Sequence, residues 1–153
     1  MGVATHSVYL DSSAIVKRYV REPGSDAVRR LFLRAYSGEC TLAYSVWNIG
    51  EVLGAFDRAR NAGMLDQEGH SAARRRFASE TQRTMRLRIA TAVPIRNRIL
   101  MDAWRLTEAY HIYDADALQI ATAKHAHASS FLSGDHALHN AATAEGLNSQ
   151  WLH

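Results

Sequence analysis

The chain has 153 residues, one domain by length and long enough to bury a sizeable core. At 47% apolar and 22% charged residues it has the composition of a soluble globular protein, and no apolar run approaches the length of a membrane span. The net charge of +3 rests almost wholly on arginine, sixteen of them against Lys17 and Lys124, and the single cysteine, Cys40, excludes an internal disulfide and fits a reducing compartment. The opening residues Met1 to His6 lack the apolar stretch of a signal peptide, and His6 stands where a myristoylation signal needs Ser or Thr. A cytoplasmic protein with no membrane association is expected.

Val8-Tyr9-Leu10 is a short apolar run suited to a buried strand. Asp11 follows it, and Ala14, Ile15, Tyr19 and Val20 then recur at helical spacing. Pro23-Gly24-Ser25 turns into a second helix with Val28, Leu31, Phe32 and Ala35 on one face, stopped by Ser37-Gly38. Cys40–Tyr44 reads as a second strand, and Ser45 caps a helix that runs to about Asn61–Gly63 on an Ile49, Val52, Leu53 and Phe56 stripe. From Asp66 to Arg86 the pattern is helical and strongly basic, one long helix or two short ones. Arg88–Val93 is a third strand ended by Pro94, and Ile95 to Leu106 an amphipathic helix. Asp114 or Asp116 opens the next helix, to His127; Ser129–Ser133 is a fourth strand; His136–Ala144 is a last helix with Gly146 as its stop. The tail around Ser149–Leu152 can add a fifth strand. Alternating strands and helices imply an α/β fold, a parallel sheet of about five strands with helices on both faces, as a single domain over residues 1–153.

Residues 57–105 hold eleven Arg and no Lys against five acids, a local net of +6. This is either a solvated helical face or a surface that tracks phosphates, with Arg74, Arg75, Arg76, Arg83 and Arg86 as its core.

Asp11 and Asp135 each follow a strand and open a helix, and Asp114 and Asp116 also lie at a helix start. Each alone reads as a cap or a partner of the helix dipole. Together they read as a site, because strand ends on one edge of a parallel sheet converge. Glu51 lies one and a half turns inside its helix, opposite the apolar stripe, among Trp47, Asn48, Gly54 and Ala55. It is either a solvent-facing acid or a carboxylate that Asn48 orients, with small neighbours permitting close approach. Crowded carboxylates repel, and a divalent cation removes the penalty. All-oxygen ligation suits Mg²⁺ or Mn²⁺. Zinc has no matching spacing: His125 and His127 lie on different helix faces, and His136 and His139 have no third ligand.

Tyr9-Leu-Asp11-Ser-Ser-Ala-Ile-Val-Lys-Arg-Tyr19 resembles the N-terminal motif of the PIN domain, particularly of VapC-type toxins from toxin–antitoxin pairs. Ser45-Val-Trp-Asn-Ile-Gly-Glu51, Asp116-Ala-Leu-Gln-Ile-Ala and Phe131-Leu-Ser-Gly-Asp135 are similar to the second, third and fourth motifs, in order and spanning residues 7 to 146. The resemblance implies an acidic pocket of Asp11, Glu51, Asp116 and Asp135 and Mg²⁺-dependent endoribonuclease activity, with Mn²⁺ able to substitute. Asp11 and Asp116 would be the direct ligands, and Asp135 and Glu51 would complete the shell. Asp114 is an extra acid beside the third motif and leaves the choice between it and Asp116 open. Ser12, Ser13, Asn48 and Ser133 would support these groups from behind. Hydrolysis by an activated water predicts 5′-phosphate and 3′-hydroxyl products without use of the 2′-OH. The resemblance also implies a cognate antitoxin whose tail lays an Arg on the acids. A homodimer built on the Val28/Phe32 or Ile49/Phe56 stripes is a further expectation.

A phosphoacceptor domain would want paired acids after the first strand and a lysine after the last, and an aspartyl phosphatase would want Asp at position 13; neither pattern is present. A non-toxin RNA-processing nuclease would carry the same motifs. A PIN-like module that binds RNA or protein without catalysis would gain nothing from four repelling carboxylates.

Overall fold

In the computed structural model, residues 6–153 are described; the expectations for the first five residues, on a leader or lipid signal, lie outside them. Five strands form one parallel sheet, β1 (His6–Leu10), β2 (Cys40–Ser45), β3 (Ala90–Val93), β4 (Ser130–Ser133) and β5 (Ser149–Trp151), in the order β3-β2-β1-β4-β5. The chain builds outward from β1 through β2 to β3, then returns to the other side of β1 for β4 and β5. The order therefore reverses between β1 and β4, and in such sheets ligands bind in the crevice beyond the strand ends at that point.

Strand alternation divides the core in two. Val8 and Leu10 face one cluster with α1 (Ser12–Tyr19), α2 (Ser25–Tyr36), α3 (Val46–Asn61) and α4 (Gln67–Arg86). Tyr9 and Phe131 face the other, with α5 (Asn97–Tyr110), α6 (Asp114–His125) and α7 (His136–Ala144). The basic segment is one helix of 20 residues, capped by Asp66 onto the Gly69 amide and anchored by Ala73, Phe77 and Thr84.

Several boundaries move for local reasons. Arg88 turns at φ 58° after α4, so β3 begins at Ala90 rather than at residue 88. Ile95 packs against the second core cluster before α5 begins at Asn97. Helix α6 stops at His125 because His127 takes φ 52°. Gly146, at φ 93°, follows the α7 cap as expected.

The dimer faces expected on α2 and α3 are corrected. Val28, Phe32 and Phe56 are buried in the first core cluster with Ile49 packed against it, so neither stripe is free to meet a second copy. Among the described residues no helix is long and apolar enough to cross a membrane.

Candidate active site

Asp11 and Asp135 stand on either side of the β1/β4 reversal. Asp11 is both a helix cap and a buried acid, 3% exposed. Its Oδ1 accepts from the Ala14 amide at 2.8 Å. The Ser13 hydroxyl lies 2.7 and 2.8 Å from its two carboxylate oxygens, and Ser133 donates to Oδ2 at 2.5 Å. Ser13 in turn accepts from the Gly134 amide at 2.8 Å, which laces the loop after β4 onto α1. The approach is close: a Cβ on Gly134 would lie 3.3 Å from Ser13 Oγ and 2.7 Å from Lys17 Cε. Lys17 thus packs beside this loop, but its ammonium pairs with Glu22 at 3.0 Å. Burial pushes the Asp11 carboxyl up from 3.8 to about 6. The hydrogen bonds from Ser133, Ser13 and Ala14 pull against that rise, and the charge of Asp135 adds to it.

Glu51 does not face open solvent, which corrects the first of the two directions its helical wheel allows. It is half-buried, and its Oε1 meets the Ser12 hydroxyl at 3.2 Å, Gln119 Nε2 at 3.3 Å and Asn48 Nδ2 at 3.4 Å. Burial raises its carboxyl, Ser12 lowers it and Asp116 raises it again. Behind Glu51 lies a buried polar chain. Gln119 Oε1 accepts from Tyr9 Oη at 2.7 Å and from Asn48 Nδ2 at 2.9 Å, and Asn48 Oδ1 accepts from the Ser45 amide at 2.7 Å. Sequence reasoning missed Gln119 and the Tyr9 hydroxyl. The signal for Gln119 was a lone amide in the apolar run Ala117, Leu118, Ile120, Ala121, and it is 2% exposed. A buried amide needs partners, and these partners lead to Glu51.

Asp116 is half-buried in the first turn of α6; burial raises its carboxyl, and Asp135 raises it further. Asp135 is exposed and caps α7 through the Leu138 amide at 3.0 Å. Asp114 is exposed, and its Oδ1 accepts from Thr107 on α5 at 3.2 Å. Repulsion thus links Asp11 to Asp135, Asp135 to Asp116 and Asp116 to Glu51.

Among the described residues no three His, Cys, Asp or Glu side chains stand close enough to form a ready-made cation cage. The donor chemistry nevertheless fits a hard cation. The four acids offer only oxygen, three are driven toward the protonated form, and among the described residues none has an ion-pair partner. A cation entering here would relieve that repulsion.

Arg74, Arg75, Arg76, Arg83 and Arg86 are all exposed on α4. Arg75, Arg76 and Arg83 line a groove with Arg18, and Arg74 and Arg75 line a second with Arg60 and His70.

A five-stranded parallel sheet with Asp11 and Asp135 following the two strands that flank its reversal point defines an α/β protein with carboxylates at the strand ends. The family model of the PIN domain matches residues 8–144, and the chain belongs to that family. Solved structures agree in fold. VapC20 from Mycobacterium tuberculosis, described as a sarcin–ricin loop cleaving toxin, is 16% identical, with 92% of this chain and 95% of that one covered at a TM-score of 0.62. VapBC2 from Rickettsia felis, bound to a fragment of its promoter DNA, is 13% identical, with 96% and 99% covered and a TM-score of 0.63. FitAcB from Neisseria gonorrhoeae is 15% identical, with 93% and 95% covered and a TM-score of 0.59. Among proteins with curated descriptions, none matches this sequence.

Proposed function

We propose that this single-domain protein is a cytoplasmic Mg²⁺-dependent endoribonuclease, the toxin of a toxin–antitoxin pair. The observation that carries the reading is a group of carboxylates raised by burial and mutual repulsion, without a cation of their own, at the reversal point of a PIN fold. Asp11 and Asp116 would hold the ion, Asp135 and Glu51 would complete its shell, and Asp114 is the alternative to Asp116. When bound, Mg²⁺ or Mn²⁺ supplies a Lewis acid for the scissile phosphate and an activated water. Ser13 and Ser133 fix both oxygens of Asp11, so its carboxylate cannot rotate as the substrate enters. Ser12, Asn48 and Gln119 hold Glu51 on one oxygen, leaving the other to orient the attacking water and accept its proton. The arginines of α4 give sequence-independent contacts to RNA phosphates. The VapBC2 structure, a pair with its promoter DNA, supports the partner reading by likeness of fold. A guanidinium from an antitoxin tail would neutralise the acids bidentately and shut the cleft.

Purified protein with Mg²⁺ is expected to cut single-stranded or looped RNA and to stop with EDTA. Co-expression with the adjacent small gene is expected to give an inactive complex. Cleavage undiminished in Asp11→Ala would assign the activity elsewhere. Harmless expression alone, with no partner retained, would favour a stand-alone RNA-processing nuclease.

A further inference from the structure

We propose that a ladder of aromatic rings on the β5 edge is a nucleobase subsite for single-stranded RNA. The proposal rests on the ribonuclease reading and adds to it a place where the substrate is gripped.

The rings of His139, His136, Trp151 and His153 run in series. His139 and His136 have centroids 6.3 Å apart at 24°. His136 and Trp151 are 4.5 Å apart at 46°, and Trp151 and His153 are 4.5 Å apart at 27°. The ladder is pinned at its inner end, where His139 Nδ1 meets Ser149 Oγ at 2.8 Å. The other paired rings among the described residues, Tyr9 with Phe131 and Tyr19 with Phe56 and Phe77, lie in the core. This group alone stands at the surface: Trp151 is 41% exposed, and His136 and His153 are exposed. Core stacking is explained by burial. An ordered stack that leaves an indole in water is not.

Its place ties it to the acids. Trp151 is the register partner of Ser133, whose hydroxyl bonds Asp11. Neighbouring strands lie about 4.8 Å apart, so the ladder begins one strand spacing from Ser133 and two from β1, the strand that Asp11 follows. His136 directly follows Asp135, so the base of the ladder and one of the four acids share one piece of backbone. His153 also lines a groove with Arg21 and Arg30. Arg21 is bidentate to Asp26 at 2.7 and 3.2 Å, and Glu22 is paired with Lys17, which leaves Arg30 to meet a phosphate. A strand whose scissile phosphate sits over the acids thus has, along the same edge, a π-face for a base and a guanidinium for its backbone. Stacking needs an unpaired base, so the subsite selects single-stranded or looped RNA over a duplex, and it accepts any base because every base has a face.

The test is binding of a fluorescein-labelled single-stranded oligoribonucleotide to the full chain in EDTA, with KM and kcat measured separately in Mg²⁺. Trp151→Ala is expected to weaken binding about tenfold and to raise KM similarly, with a much smaller change in kcat. Trp151→Phe, which keeps a ring, is expected to restore most of the affinity. One abasic position in the RNA is expected to cost the wild type as much as Trp151→Ala does, and to cost Trp151→Ala nothing more. His136→Ala repeats the measurement should Trp151→Ala fail to fold. RNA binding unchanged in the folded variants overturns the subsite, as does weakening of the antitoxin complex alone, which would make the ladder a protein-docking surface. Failure of the wild type to bind or cut RNA would instead overturn the ribonuclease reading beneath it.

Discussion

Two kinds of buried or half-buried carboxylate stand in this molecule, and they are shifted in opposite directions. Glu80 ties α1, α2 and α4 together: it accepts from Arg18 at 2.8 and 3.0 Å, Tyr19 at 2.9 Å and Tyr36 at 3.1 Å. Glu145 does the same for α5 and α6, accepting from Lys124 at 2.6 Å, Tyr110 at 2.6 Å and Arg105 at 3.0 Å. Burial would raise both, but the cations and phenols lower them, Glu145 to about 2. Asp11, Glu51 and Asp116 are buried to various degrees and all raised, because their donors are hydroxyls, amides and each other's charge. The difference lies in the partner rather than the burial. A carboxylate supplied with its own cation is a brace, and one held ready without a cation is a place for something the chain does not contain.

The largest test of that contrast is catalytic. Asp11→Asn or Asp116→Asn is expected to remove RNA cleavage by more than the roughly 10–100-fold that outer-shell partners of a metal site cost. Single-turnover assays on folded protein check this, and cleavage within tenfold of wild type would place the chemistry elsewhere.

The next test is the pH dependence of stability in metal-free protein. The Asp11 carboxyl is raised, from 3.8 to about 6, so its stability is fully present below about pH 3.8 and is lost as pH rises through 6. The loss amounts to about 3 kcal/mol at neutral pH. Asp11→Asn is therefore expected to gain on wild type in urea unfolding between pH 4 and 7. Glu145 is lowered, so its contribution is full above about pH 4.5 and fades as pH falls towards 2. Glu145→Gln is expected to differ most from wild type at neutral pH and to converge with it in acid. A pH-independent gap in either variant would contradict the contrast.

Glu80→Gln should cost about 1–3 kcal/mol of stability, because the Arg18 guanidinium loses its partner, while cleavage per folded molecule persists. Loss of cleavage in the folded variant would blur the distinction between brace and site. Gln119→Leu keeps the volume but removes the amide behind Glu51. It is expected to lower kcat about tenfold with little change in RNA affinity. The smallest effect concerns α4: neutralising Arg74, Arg75 and Arg76 should flatten the slope of log affinity against log salt by about two units for single-stranded RNA. An unchanged slope would make that face merely solvated.

The order of elements was legible because strands and helices alternate with clear periodicity and turn residues. Asp11 and Asp135 were legible for the same local reason, a strand end followed by a helix start, and the structure makes each a helix cap beside the sheet's reversal point. Glu51 was half legible: its own neighbours left open a carboxylate oriented by Asn48, and the resemblance chose that direction. A helical wheel gives its direction relative to its own stripe and says nothing of α1 and α6 closing over it with Ser12 and Gln119. The dimer faces failed for the converse reason: an apolar stripe shows that a helix is buried, and the sheet was what buried it. The Trp151 ladder joins α7 to β5 across a turn, and spacing alone does not bring those rings together.

The most direct measurement is calorimetric titration of Mn²⁺ into apo protein between pH 5 and 7, wild type against Asp11→Asn and Glu145→Gln. Saturable binding is expected for wild type and for Glu145→Gln, tightening between pH 5 and 7 as Asp11 ionises, and is expected to be lost in Asp11→Asn. Binding that survives in Asp11→Asn, or that is absent from wild type, would contradict a cation site at Asp11.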